Sequence, residues 1–132
     1  MERLVLREYA RSGNCYKIRL TAAHVGAALE RREYDIMQGE TRTPEFLAKA
    51  NANGRIPVLQ VGDRFLPESN AACWYLASDT LLMPEDRFEQ ADIVLYAYTH
   101  VCEQGGYRLA DYPAVVAWLD RVASRPGHVA LD

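Results

Sequence analysis

The chain contains no CxxC pair and no basic cluster longer than Arg31-Arg32, which Glu33 follows at once. It also lacks any apolar run approaching the ~18 residues that a membrane span needs. Its three cysteines, Cys15, Cys73 and Cys102, lie far apart and are odd in number, and His24, His100 and His128 share no ligand spacing with them. Neither a dithiol redox centre nor a metal site is therefore expected. The net charge is −3 from 15 basic and 18 acidic residues, and the arginines are scattered along the chain. That balance offers no polyanion-binding surface, so nucleic acid is not an expected partner. Cysteines left without partners fit a reducing compartment, and the opening MERLVLREYA has none of the apolar stretch of a signal peptide. The expectation is a soluble cytoplasmic protein that does not enter the membrane.

What is present reads as α/β. Leu4, Val5, Leu6 and Tyr9 form a short apolar run bounded by Ser12-Gly13-Asn14, a length that favours a buried strand. From Cys15 to Gly26 the period changes to that of a helix, through Ile18, Ala22 and Val25, with Ser12 or Asn14 available as N-cap. Glu33 to Met37 alternates like a second strand, and Thr43-Pro44-Glu45 opens a short helix reaching Ala50. After the turn Asn51-Ala52-Asn53-Gly54, Ile56 to Val61 and Arg64 to Leu66 form a hairpin about Gly62-Asp63. A helix from Asn70 to Ala77 follows. Beyond Ser78 come a linker with Pro84 and two helical patterns, Ala91 to Glu103 and Pro113 to Ser124, split by Gly105-Gly106. This C-terminal portion is too thin to make a domain alone.

Three short constellations carry chemistry. Ser12 and Cys15 place a hydroxyl and a thiol where a strand hands over to a helix, whose free N–H groups and partial positive charge favour an anion. The plain alternative is that Ser12 only caps and Cys15 is a small buried hydrophobe. In Gly54-Arg55-Ile56-Pro57-Val58-Leu59 a proline begins a strand; trans is its ordinary state, while a cis form suits pairing of Ile56 with an extended peptide. Pro67-Glu68-Ser69-Asn70 lies at another helix start, where Ser69 caps the helix and holds a carboxylate while Glu68 accepts from an ammonium group. An ordinary serine cap with an acidic neighbour is the alternative there.

In this order, with the intervening β-α-β pattern and the strings GRIPVL and PESNAACWYL, the chain resembles the N-terminal domain of cytosolic glutathione transferases over residues 3 to about 78. The likeness is strongest to bacterial theta-, zeta- and beta-like members. It implies a thioredoxin-like domain over 1–78, a linker over 79–90 and an all-α portion over 91–132 that is incomplete. It implies glutathione as co-substrate, Ser12 as the residue activating its sulfur, and Ile56 pairing with its cysteinyl backbone ahead of a cis-Pro57. Glu68 and Ser69 would bind its γ-glutamyl end, with Arg42 or Gln38 offered for the glycyl carboxylate. Ala52 departs from the family's NPxG turn, with little expected effect. Ala91-Asp92-Ile93 resembles the family's SxAD helix start, although Glu89 and Gln90 supply no hydroxyl cap. Tyr112 to Arg121, followed by Arg125-Pro126-Gly127, resembles its penultimate helix and exit.

Two long helices that the family places before the SxAD helix are missing at the join of Gln90 and Ala91, through a natural shortening, a deletion or an unrecorded segment. The last two fit better, since both flanks are ordinary for the family. A true gap leaves the faces bearing Ile93, Leu95, Trp118 and Leu119 without packing partners, so association through them is expected. The activity implied is conjugation of the glutathione thiolate to a small electrophile by a homodimer. Thiol transfer through Cys15 and a non-catalytic glutathione-binding module are the rivals.

Overall fold

A computed structural model describes residues 2–82 and 90–132, with only the backbone of Gln90. The first apolar run is strand β1 (Leu4–Glu8), which sends Leu6 to one face of the sheet. Helix α1 (Gly13–His24) follows, capped by Ser12 as expected. Strand β2 (Glu30–Glu33) runs parallel to β1, and after two 3-10 turns a short helix α2 (Pro44–Lys49) leads to β3 (Val58–Val61) and β4 (Arg64–Pro67). Both later strands are antiparallel to their neighbours, in the sheet order β2-β1-β3-β4. Helix α3 (Ser69–Ala77) closes this unit, a thioredoxin-like mixed sheet with helices. Because strand side chains alternate, Leu59 and Val61 meet α1 and α3 through Ile18, Ala22, Cys73 and Leu76. Val58 on the opposite face meets Phe46 and Ala50 of α2.

The second strand corrects the sequence reading. It covers Glu30–Glu33 rather than Glu33–Met37, and all four of its residues are exposed. Its polar composition hid it: as an edge strand it works through charge, with Arg31 pairing with buried Glu8 and Glu33 Oε1 accepting from the Ala10 N–H at 2.8 Å. The alternation at 34–37 instead comes from a turn in which the Asp35 side chain accepts from the N–H groups of Met37 and Gln38, ended by Gly39 at φ 73°.

The C-terminal portion comprises α4 (Gln90–Thr99) and α5 (Pro113–Ala123) with short 3-10 turns between. The helix expected to reach Glu103 stops at Thr99. Most of the linker reading, and the absent hydroxyl cap at Glu89, lie outside the described residues. The expectation of unpartnered apolar faces is corrected here. Ile93 and Leu119 are buried, in one cluster with Tyr16 and Leu20 of α1 and Ala77 of α3. Trp118 packs against that cluster and donates from its indole N–H to Asp92 Oδ1 at 2.8 Å. Of the four residues, Leu95 alone is left facing solvent, 60% exposed. Their partner is α1, which sends Tyr16 and Leu20 to this cluster and Ile18 and Ala22 to the sheet.

Residues after α5 fold back along α1. The His24 Nδ1–H donates to the Pro126 carbonyl at 3.1 Å and the Tyr16 hydroxyl to the Val129 carbonyl at 2.7 Å. Gly127, at φ 84°, lies where an added Cβ would come within 3.0 Å of the Ala23 carbonyl oxygen. Asp132 pairs with Arg31, which with Arg19 also holds the buried carboxylate of Glu8. Between α1, α4 and this tail the His100 ring stacks on Tyr96 at 4.7 Å, with His128 edge-on to Tyr96 at 5.2 Å.

Candidate functional site

Two helix N-termini meet at one end of the sheet. At the first, Ser12 holds an extended backbone (φ −76°, ψ 123°), and its Oγ accepts from the Cys15 N–H at 3.4 Å. No acidic residue stands in the first turn of α1, so the positive end of the helix keeps its field. Ser12 is half-buried, while Cys15 behind it is buried completely. Burial pushes the Cys15 thiol pKa up, against the opposing hydrogen bonds of Ser12 and the Tyr9 backbone. A glycine follows Ser12 because Tyr98 of α4 lies across this turn: a Cβ on Gly13 would come within 2.9 Å of its ring. Tyr98 is half-exposed and hydrogen-bonds the Asn14 side chain; burial raises its pKa.

At the second N-terminus, α3 begins at Ser69, one residue earlier than the sequence suggested, and the cap position belongs to Glu68. Ser69 therefore does not cap the helix. Its hydroxyl donates to Asn14 Oδ1 at 3.3 Å, and no side chain caps α3. The first N–H groups of α3 have no partner within the helix and suit an anion. Glu68 is exposed and adopts φ 76°, ψ 116°, a left-handed region that costs a non-glycine residue about 1–3 kcal/mol. A second bridge joins the helices, from Lys17 Nζ to Asn70 Oδ1 at 2.8 Å.

The third constellation is the turn into β3. The Ile56–Pro57 bond is cis. The β3 ladder begins at Val58, opposite Arg7 and Pro67, so the N–H and C=O of Ile56 stand outside it. The turn ahead is held by Asn51, which donates from Nδ2 to the Arg55 carbonyl and accepts from the Asn53 N–H, both at 3.0 Å. Ala52 is exposed there, and this asparagine does the fixing. Arg42 packs on Gly54, two residues before Ile56, whereas Gln38 lies in the turn capped by Asp35.

The sequence marks Asn14 only as a possible cap and gives Lys17, Asn70 and Tyr98 no role at a site. The available signal was Gly13, a glycine in the first turn of an otherwise regular helix, which marks a close approach. Tyr98 also lines an apolar groove with Cys102, Tyr107, Leu109 and Tyr112. A separate cleft, lined by Arg7, Tyr34, Phe46 and Phe65, contains none of the expected site residues. Among the described residues no group of His, Cys, Asp and Glu is placed to hold a metal ion, and no helix is long and apolar enough to cross a membrane.

Comparison with known proteins gives this arrangement a context. The model of the glutathione S-transferase N-terminal domain matches residues 5–78. Glutathione S-transferase 1 of Dianthus caryophyllus is 31% identical over 93 residues, which are 68% of this chain and 42% of that protein. The chain thus spans less than half the length of the curated relatives it matches. A possible glutathione S-transferase from Rhodopseudomonas palustris superposes with a TM-score of 0.91 at 35% identity, covering 98% of this chain and 97% of the other. A glutathione S-transferase from Pseudomonas fluorescens gives a TM-score of 0.92 at 29% identity, covering 97% and 98%. With a family model matched over more than half of its length, on the sheet and helices just described, the chain belongs to the glutathione S-transferase family.

Proposed function

We propose that the chain binds glutathione across the N-termini of α1 and α3 and activates its thiol for attack on a small electrophile. One observation carries this reading: two helix N-termini, one with a hydroxyl at its cap and one with no side-chain cap, are bridged to each other beside a backbone segment outside the sheet ladder. In it the γ-glutamyl carboxylate lies on the first N–H groups of α3 with Ser69, and Glu68 receives the ammonium group. Ile56, ahead of Pro57, pairs with the cysteinyl backbone, and Arg42 lies toward the glycyl end. The sulfur then reaches Ser12.

A free thiol with a pKa near 8.5 is mostly protonated at neutral pH. Hydrogen-bond donation by Ser12 and the positive end of α1 stabilise the thiolate, at about 1.4 kcal/mol for each pKa unit gained. The thiol proton passes to solvent, and the sulfur lone pair forms the new bond to carbon as a leaving group departs or a double bond or epoxide opens. The apolar body of the electrophile has the groove beside Tyr98 within reach. A homodimer in the cytoplasm completes the reading, with Trp74, Tyr75 and Leu95 among the exposed apolar residues available to a second copy.

Ser12→Ala tests the assignment. Conjugation of a chlorinated dinitrobenzene is expected to fall about 100-fold, as on removal of one stabilising donor, and unchanged turnover overturns it. A glutathione-binding module without catalysis is the second reading; it predicts retention on a glutathione matrix with no turnover above background. Thiol transfer through Cys15 has the complete burial of that residue against it. A glutathione adduct that disappears in Cys15→Ser is the result that would revive it.

A further inference from the structure

Lys17 lies in the second turn of α1, only 4% exposed, and among the described residues its ammonium donates one hydrogen bond, to Asn70. No carboxylate among the described residues pairs with it. A buried ammonium without a counter-ion is costly. The cost is raised by its location, near the N-terminal ends of two helices, where the backbone dipoles already repel a cation. Burial accordingly lowers the Lys17 pKa. Nothing in the packing demands a charge at this position, since α1 and α3 meet elsewhere through Ile18, Ala22, Cys73 and Leu76.

Resting on the glutathione reading above, we propose that Lys17 is a positioning residue of the anion site. Held on Asn70, its ammonium fixes the first turn of α3 and supplies positive charge that the γ-glutamyl carboxylate neutralises on binding, so the unliganded protein is less stable than it would be with an apolar side chain there. The lysine thereby trades stability for affinity, a combination that a purely structural residue does not produce.

The test measures two quantities in the full chain: the urea midpoint without ligand, and glutathione binding by calorimetry. Lys17→Met, which keeps the length of the side chain and removes the charge, is expected to raise the urea midpoint and weaken glutathione binding about tenfold. Lys17→Arg is expected to retain most of the affinity. Asn70→Asp, which gives the ammonium a fixed carboxylate, is expected to weaken binding similarly and settles the matter if Lys17→Met does not fold. Wild-type affinity in Lys17→Met, or in Asn70→Asp where that variant decides, overturns the inference and leaves the glutathione reading intact. A parallel loss of stability and affinity in Lys17→Met assigns it a structural role and overturns it too. Failure of the wild-type chain to bind glutathione removes both.

Discussion

Glu68 condenses the relation of this site to its fold into one residue. Its left-handed backbone turns β4 into α3 and leaves its side chain exposed at the start of that helix, at an energetic cost. Glu68→Gly relieves that strain, against the roughly 0.5–1 kcal/mol of chain entropy that a glycine adds. The variant is expected to be as stable as the wild type or up to about 1 kcal/mol more so, while glutathione binding falls at least tenfold in a calorimetric titration; a clear loss of stability would argue against strain here. The element boundaries at Ser12, Ile56-Pro57 and Glu68 are legible in the sequence, because turn and cap chemistry marks each of them. At Ser69 the helix boundary is legible to within one residue, but not that this serine begins the helix instead of capping it. Whether a serine caps its helix or begins it depends on the φ of the residue before, and a glutamate at positive φ is not a choice that propensity suggests.

Between elements, what holds α4 in place is the pairing of Ile93 with α1 and of Asp92 with Trp118. Ile93→Ala is expected to cost about 2–5 kcal/mol, and Trp118→Phe about 1–2 kcal/mol because Asp92 loses a donor. Leu95→Ala, at a neighbouring but exposed position, is expected to stay within about 0.5 kcal/mol. Chemical denaturation of the three variants checks this order, and equal costs would contradict the packing. The helices themselves were legible from periodicity, and their buried face was not. α1 buries Lys17, Arg19 and Thr21 along with its apolar residues, and periodicity cannot separate a helix covered on two sides from one with a poorly defined single face. The displaced β2 has a related cause: an edge strand stabilised by ion pairs leaves no apolar alternation to read.

In the molecule as a whole, the tail and the two C-terminal helices join the thioredoxin-like unit through a seam rich in histidine. Burial lowers the pKa of both His24 and His128, with His128 also acting on His24 and His100 on His128. A histidine whose folded pKa is depressed binds fewer protons in the folded than in the unfolded state below the ordinary value of about 6.5. Its contribution is therefore intact above that pH and is lost as the pH falls through it. Stability is expected to decline from pH 7 to pH 5, and His24→Gln with His128→Gln to flatten that slope; a double variant with the wild-type slope would locate the dependence elsewhere. The same seam bears on cooperativity. Tyr16 and Leu20 belong to the cluster shared with α4 and α5, while Ile18 and Ala22 belong to the sheet cluster.

One helix thus serves as the centre of two cores, and its backbone amides lie beneath both. In deuterated water the amides in the middle of α1 can exchange only when both coverings are lost together, that is, on global opening. They are expected to be the last to exchange, at a rate that reports the stability of the entire molecule, while those of β2 and the C-terminal tail exchange earlier through local openings.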